Sequence, residues 1–285
     1  MITVASIIAL AGSQGELYSG SIPILVVCMM GSFLIHWLVF IPSYLAKSEK
    51  FYDITGTLAY LSLLIVTSLY TSSVSDSVIT DRSVLLIGFL TVWSLRLGIF
   101  LFTRIMKSGE DKRFREIKVS FSKFLVTWTL SALWVFITSA NALITIINNV
   151  PLSGDIVAYV GILVWVLGFL FEVIADEQKK RFHHESKNSG DFISDGLWRY
   201  TRHPNYFGEI MLWSGIAIIS LSTLSGWQYV TLISPLFVFL LLTRVSGINL
   251  LELKADQMWG HREDYNNYKK TTPVLVPFIN KVLKR

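Results

Sequence analysis

Two stretches of this chain, Tyr18–Ala46 and Ile210–Thr243, contain no charged side chain. Runs of that length constrain the fold more than any other feature, because about 20 apolar residues in a helix cross the hydrocarbon core of a bilayer. Further uncharged runs bring the expected spans to seven, near 22–45, 54–71, 84–104, 121–148, 156–175, 205–221 and 227–244. The last two share one run that is too long for a single helix, and Ser222-Thr223-Leu224-Ser225-Gly226 divides it with turn-forming residues. The expected fold is all-α: a polytopic membrane protein with seven transmembrane helices.

Charge placement gives the expected orientation. Lysines and arginines concentrate in 47–53, 105–120, 176–204 and 245–285, whereas 72–83, 149–155 and 222–226 carry only Arg82. Basic connections stay in the cytoplasm, so the N-terminus is expected outside and the C-terminus cytoplasmic. The net charge of +5 then reflects loops rather than a nucleic-acid surface. Charged residues are 16% of the chain, below the roughly 25% of soluble domains. Residues 1–16 lack a basic n-region and lead straight into a span, so no cleaved signal peptide is expected. The single cysteine, Cys28, lies inside the first run, which leaves no intrachain disulfide and no cysteine metal cluster. Residues 1–285 read as a single membrane domain.

Polar chemistry gathers on the segments expected in the cytoplasm. Residues 196–209, GLWRYTRHPNYFGE, set Arg199, Tyr200, Arg202, His203, Asn205, Tyr206 and Glu209 at the mouth of a membrane helix. Ionisable groups there are costly unless they bind something polar. Pro204 suits a first helical turn, and Asn205 and Glu209, four apart, point one way. Arg199 and Arg202 flank a helix start whose free N–H groups favour an anion, and arginine forks match phosphate oxygens. A phosphorylated cofactor is expected to dock there; the plainer reading is an interfacial anchor. Upstream, in GFLFEVIADEQKKRFHHE, Glu172, Asp176, Lys180 and His183 fall near one helical face. They form either a polar stripe facing a cavity or a ladder that eases the helix out of the bilayer. In the tail, Glu252 and Asp256 are again four apart, His261, Tyr265 and Tyr268 follow on an expected short helix, and Pro273 and Pro277 end regular structure. A tail lying on headgroups has the same pattern. Arg96, His36 and Asp53 are isolated ionisable groups in or beside spans, of the kind that bundles often satisfy internally. There is no Walker loop, no GxGxxG after a strand and no HExxH, and no metal site is expected.

Taken together, GFLFE..AD.QK..F, GLWRYTRHPNYFGE, FYDITG at 51–56, WSLRLGIFLFTRIMKSGEDKRF at 93–114 and HREDY..Y...TPVLVPF resemble the bacterial DUF1295 family of the steroid 5-alpha-reductase superfamily. RHPNYFGE alone is also similar to isoprenylcysteine carboxyl methyltransferases. The resemblance implies a multi-pass reductase of the bacterial inner membrane that holds NADPH in a cytoplasm-facing cavity, with 156–285 as its cofactor-binding half. Carried over by motif, Asp176, Tyr200, Asn205 and Glu209 contact the cofactor, and His261 and Tyr265 correspond more loosely. With their polar neighbours, the expected cofactor set is Asp176, Lys180, Arg199, Tyr200, Arg202, His203, Asn205, Tyr206, Glu209, Glu252, His261 and Tyr265. Steroid reductases polarise an enone with a glutamate near the first two helices and a tyrosine in the third. This chain has no Gln-Glu pair there, and Ser94 or Leu95 occupies the tyrosine region, so Asp53 and Tyr60 stand as the catalytic candidates.

The expected function is NADPH-dependent reduction of a conjugated double bond in an apolar, steroid-like or other lipid substrate, an oxidoreductase reaction on a CH–CH group. A membrane methyltransferase using S-adenosylmethionine on the same scaffold is the alternative. A transporter or scaffold is a third reading, disfavoured because no inverted repeat is visible and the polar groups gather at one side. The expected partners are the bilayer and the apolar substrate, with no nucleic acid.

Overall fold

The computed structural model describes residues 1–15, 22–75, 78–185, 190–245 and 247–278. Parts of the basic segments, 186–189 and 279–285, lie outside the described residues. Among the described residues there is no strand. The chain opens with α1 (Ile2–Gly12), followed by α2 (Ile24–Leu45), α3 (Tyr52–Ser75), α4 (Asp81–Ser108), α5 (Phe121–Asn148), α6 (Ile156–His184) and α7 (Pro204–Ser220). A composite stretch follows: a 3-10 helix (Gly226–Ile233), α8 (Ser234–Leu240), a π turn (Leu241–Val245) and α9 (Ile248–Trp259). The last helix is α10 (Glu263–Thr271). Seven of the described helical segments are long and apolar enough to cross a membrane, from α2 through the composite stretch. The expected break between the last two spans falls at Leu224–Ser225, where the backbone is extended and Ser225 with Gln228 forms a capping box for the next helix.

α1 lies outside the expected spans, and α6 continues beyond its own. α1 is apolar but too short to cross, and no uncharged-run criterion selects it. α6 runs past residue 175 to His184, because EQKKRFHH is rich in helix formers and Glu177 pairs with both Lys180 and Arg181 one turn on.

The chain forms two compact units, Met1–Ala158 with Ser220–Ser234, and Tyr159–Ile219 with Pro235–Arg285. In the first unit α5 is the hub. Every residue from Val135 to Ile146 is buried, so the helix has no solvent- or lipid-facing side along that length. Its hydroxyls are satisfied locally: Thr138 donates to Trp134 O at 2.7 Å, Ser139 to Val135 O at 2.7 Å and Thr145 to Asn141 O at 2.9 Å. Neighbouring helices also bond to it, Ser32 of α2 donating to Ala132 O at 2.9 Å and Thr71 of α3 to Ile146 O at 3.3 Å. One end of this unit is tied by Arg82, which donates to Asp155 at 2.6 Å, Ser222 at 2.7 Å and Pro151 O at 3.1 Å. The other end is tied by buried Glu49, which accepts from the Asp111 amide at 2.7 Å and from Lys118 Nζ at 2.8 Å. An aromatic cluster of Phe40, Phe114, Phe124 and Trp128 packs there.

The second unit is organised by glycines. A Cβ at Gly168 would lie 2.5 Å from Leu212 N and 2.7 Å from Gly208 O, and one at Gly215 would lie 2.6 Å from Trp165 N. A Cβ at Gly161 would lie 2.9 Å from Gly215 O. Gly161 and Gly168 on α6 thus meet Gly215 and Gly208 on α7, in each helix two turns apart, and the backbones touch. Sequence alone leaves open where these glycines make contact; the structure puts it within the chain. This fixed register brings the polar end of α6 beside the start of α7.

Candidate functional site

The turn leading into α7 is held from three sides. Trp198 is buried and its indole Nε1 donates to Ala175 O of α6 at 3.1 Å. Gly196 adopts φ +60 over the side chain of Gln178, whose Oε1 accepts from Leu197 N at 2.9 Å. Tyr268 of α10 donates to Trp198 O at 2.6 Å. The segment after α10 lies across the same turn: Arg202 N donates to Pro273 O at 3.0 Å, and Thr201 Oγ1 to Leu275 O at 2.8 Å.

Within this frame the polar residues meet. Asn205 Nδ2 donates to Asp176 Oδ1 at 3.2 Å. His203 Nε2 lies 2.9 Å from Glu252 Oε1, and Arg202 Nη1 lies 2.9 Å from Glu252 Oε2. His203 stacks on Tyr206 with centroids 5.7 Å apart. Asp256, one turn beyond Glu252, binds Lys269 Nζ at 2.5 Å and accepts from the Tyr265 hydroxyl at 3.0 Å. Burial, reinforced by Asp256, pushes the Tyr265 pKa up, so the phenol stays protonated and donates. Burial lowers the His203 pKa, outweighing the pull of Glu252, so the imidazole is neutral at pH 7 and Nε2–H donates.

Arg202 is the unusual member. Its side chain is only 10% exposed, and its Nε and Nη1 are buried without a hydrogen bond. The Glu252 contact is therefore a charge contact without the alignment of an N–H···O bond. Buried donors left unmade cost about 1–3 kcal/mol each, so a guanidinium in this state fits a ligand that supplies oxygens. Arginine donors beside a helix N-terminus, an amide at Asn205 and carboxylates at Asp176 and Glu209 form a donor and acceptor set that suits a dinucleotide.

The structure brings Asp176, Arg202, His203, Asn205, Tyr206, Glu252 and Tyr265 into this end of the unit, and Glu209 follows one turn into α7. Four expected members sit at its exterior. Lys180 is exposed and pairs with Glu177; Arg199 is exposed; Tyr200 is exposed and contacts the Phe278 ring at 4.9 Å; His261 is exposed and precedes α10 rather than lying on it. Lys269, Thr201 and Trp198 organise the site and are absent from the sequence-based set. The signal for Lys269 is its i,i+4 spacing from Tyr265, which mirrors the Glu252–Asp256 spacing across Gly260.

Asp53 and Tyr60 belong to the first unit, seven residues apart on one face of α3. Tyr60 is buried; Thr138 spends its proton on Trp134 O, so the Tyr60 hydroxyl donates to Thr138 at 2.5 Å, edge-on to Trp93. Asp53 is half-buried at the helix start, within electrostatic reach of Arg113, Arg104 and Asp111.

These features define an all-helical membrane protein with seven membrane-crossing segments and a buried polar site. More narrowly, the chain belongs to the DUF1295 family, described as a protein of unknown function, whose model matches residues 39–272, and so to the steroid 5-alpha-reductase superfamily. It is 27% identical over 120 residues to 3-oxo-5-alpha-steroid 4-dehydrogenase 1 of Rattus norvegicus, covering 42% of this chain and 40% of that protein. It is 29% identical over 120 residues to steroid 5-alpha-reductase DET2 of Gossypium hirsutum, covering 42% and 41%. The chain thus spans about two-fifths of the length of the curated relatives it matches.

Proposed function

We propose that this protein is an NADPH-dependent reductase of a conjugated double bond in an apolar, membrane-dissolved substrate. The observation that carries the reading is Arg202, a buried guanidinium with donors held off hydrogen bonds, set among His203, Glu252, Asn205 and Asp176. The names of the relatives, a steroid dehydrogenase and a steroid reductase, support the reaction class.

NADPH, when bound, supplies the hydride. Arg202 and the first turn of α7 bind phosphate oxygens. Asn205, its amide steadied by Asp176, and Glu209 on the same face of α7 orient the rest of the cofactor, with Tyr206, His203, Glu252 and Tyr265 as walls. Lys180 and Arg199, exposed around this end, attract an anion from solvent, with Tyr200 and His261 exposed beside them. Asp53 is the proton donor to the substrate carbonyl, a general-acid role worth typically about 10²–10⁴-fold. Tyr60 shares its face of α3 and has its hydroxyl committed to Thr138. The polar end faces the cytoplasm of the bacterial inner membrane, as the positive loops require.

The likeness of RHPNYFGE to methyltransferases gives the competing cofactor. Thermal unfolding of purified protein separates the two, since a ligand at 100 times its Kd stabilises by about 2.7 kcal/mol. NADPH is expected to raise Tm and S-adenosylmethionine to leave it unchanged; the reverse pattern makes the protein a methyltransferase.

A further inference from the structure

Glu252 is shared between two basic side chains of different kinds. One oxygen lies 2.9 Å from Arg202, which is permanently charged, and the other 2.9 Å from His203, which is not. The Arg202 contact lacks hydrogen-bond alignment, whereas His203 makes a full hydrogen bond to the carboxylate. The carboxylate is thus the resident anion of a guanidinium whose remaining buried donors it does not satisfy. A phosphate oxygen is a better match for that fork.

We propose that Glu252 holds the place of a ligand phosphate on Arg202, and that a phosphate-bearing ligand displaces it onto His203, which takes up one proton. The proposal deepens the cofactor reading above and rests on it for the identity of the ligand. In the exchange the Arg202–Glu252 contact breaks, phosphate oxygens take the guanidinium donors, and a proton passes from water to His203 Nδ1. No electrons move. The Nε2–H···Glu252 bond then becomes an ion pair.

The surrounding charges favour this direction. The groups facing His203 are Glu252 from α9, Arg202 and Tyr206 from its own turn, and Lys179 from α6, whose ammonium lies over the Trp198 ring. Lys269 of α10 reaches Glu252 at 3.8 Å and is itself balanced by Asp256. In the ligand-free protein burial keeps His203 neutral, and Lys179 and Arg202 add to that effect. A phosphate cancels the repulsion from both cations and leaves His203 as the one hydrogen-bond partner of Glu252 among those named, with Lys269 at 3.8 Å. Binding and protonation are therefore linked, and each strengthens the other.

The test uses full-length protein in nanodiscs and two probes, NADPH and sulfate, a dianion that does not titrate between about pH 6 and 8. Titration calorimetry in buffers of different ionisation heat counts the protons taken up. Wild type is expected to take up close to one proton with either probe near pH 7.5, and sulfate affinity is expected to fall toward tenfold per pH unit as pH rises. His203→Gln is expected to bind both probes without the sulfate-linked proton. Glu252→Gln, a second variant that keeps the shape, is expected to bind sulfate more tightly at pH 8 and without proton uptake. Sulfate binding with no proton uptake in wild type, or equal uptake in wild type and His203→Gln, overturns the exchange. Proton-linked sulfate binding without NADPH binding supports the exchange and overturns the cofactor reading alone.

Discussion

A buried carboxylate ties a polar segment to the helices of the first unit, and its removal would strand two donors. Glu49, 3% exposed, accepts from the Asp111 amide and Lys118. Glu49→Ala leaves both donors without their acceptor and is expected to cost about 3 kcal/mol, the low end for a broken buried pair because Lys118 stays partly exposed. Denaturant unfolding in micelles measures it. His203 gives a pH signature. Its folded-state pKa is lowered below the ordinary 6.5, so below that pH the unfolded chain binds more protons than the folded one. Stability is then full above pH 6.5 and declines as pH falls toward the folded-state value. His203→Gln is expected to flatten that slope in a series of unfolding curves from pH 7.5 to 5; an unchanged slope removes His203 as its cause. At this scale much of the site is legible in the chain: the RHP turn, Asn205 four before Glu209, and the Glu252–Asp256 spacing all point to residues that meet. The partners across elements are not legible. Spacing puts Lys180 near the face of Asp176, but one turn further out water and Glu177 compete for it, and Glu177 wins.

Helices in this protein are positioned by what they lack as much as by what they carry. The α6–α7 contact tolerates no side chain at Gly168, where a Cβ meets backbone atoms at 2.5 and 2.7 Å. Backbone cannot swing aside as a flexible side chain can, so Gly168→Ala is expected to lose at least about 1–3 kcal/mol and to separate Asn205 from Asp176. Gly88 on α4 has nothing within 4 Å of its virtual Cβ, so Gly88→Ala is expected to be neutral or to stabilise by up to about 1 kcal/mol. Unfolding of the two variants side by side checks the pair; equal effects would contradict the packing account. Long apolar runs read directly as helices because length and absence of charge are sufficient. α1 is not found that way, since it is too short to span and is held by tertiary contacts: Ala5, Ile8, Ala9 and Gly12 are buried, and a Cβ on Gly12 would meet Leu25 at 2.7 Å. The far end of α6 is legible despite its charge, because Glu172, Asp176, Lys180 and His183 keep helical spacing through to His184.

On the scale of the whole molecule, the seven crossings and the loop charges imply opposite exposures for opposite ends of the first unit. In a Cys28→Ser background, an impermeant maleimide is expected to label Ser153→Cys from outside the cell and Glu116→Cys only after permeabilisation; both positions are exposed. Labelling in the reverse sense would invert the orientation. Family membership follows from motifs spread over most of the chain, whereas the substrate is not written in them. The account as a whole turns on Arg202 and its neighbours as a nucleotide site. The most direct measurement is the NADPH Kd of wild type and Arg202→Gln by fluorescence titration in nanodiscs, with near-UV circular dichroism confirming that both are folded. The account predicts saturable binding in wild type and at least a tenfold weaker Kd in the folded variant. Equal affinity in the two, or no binding to wild type, would contradict it.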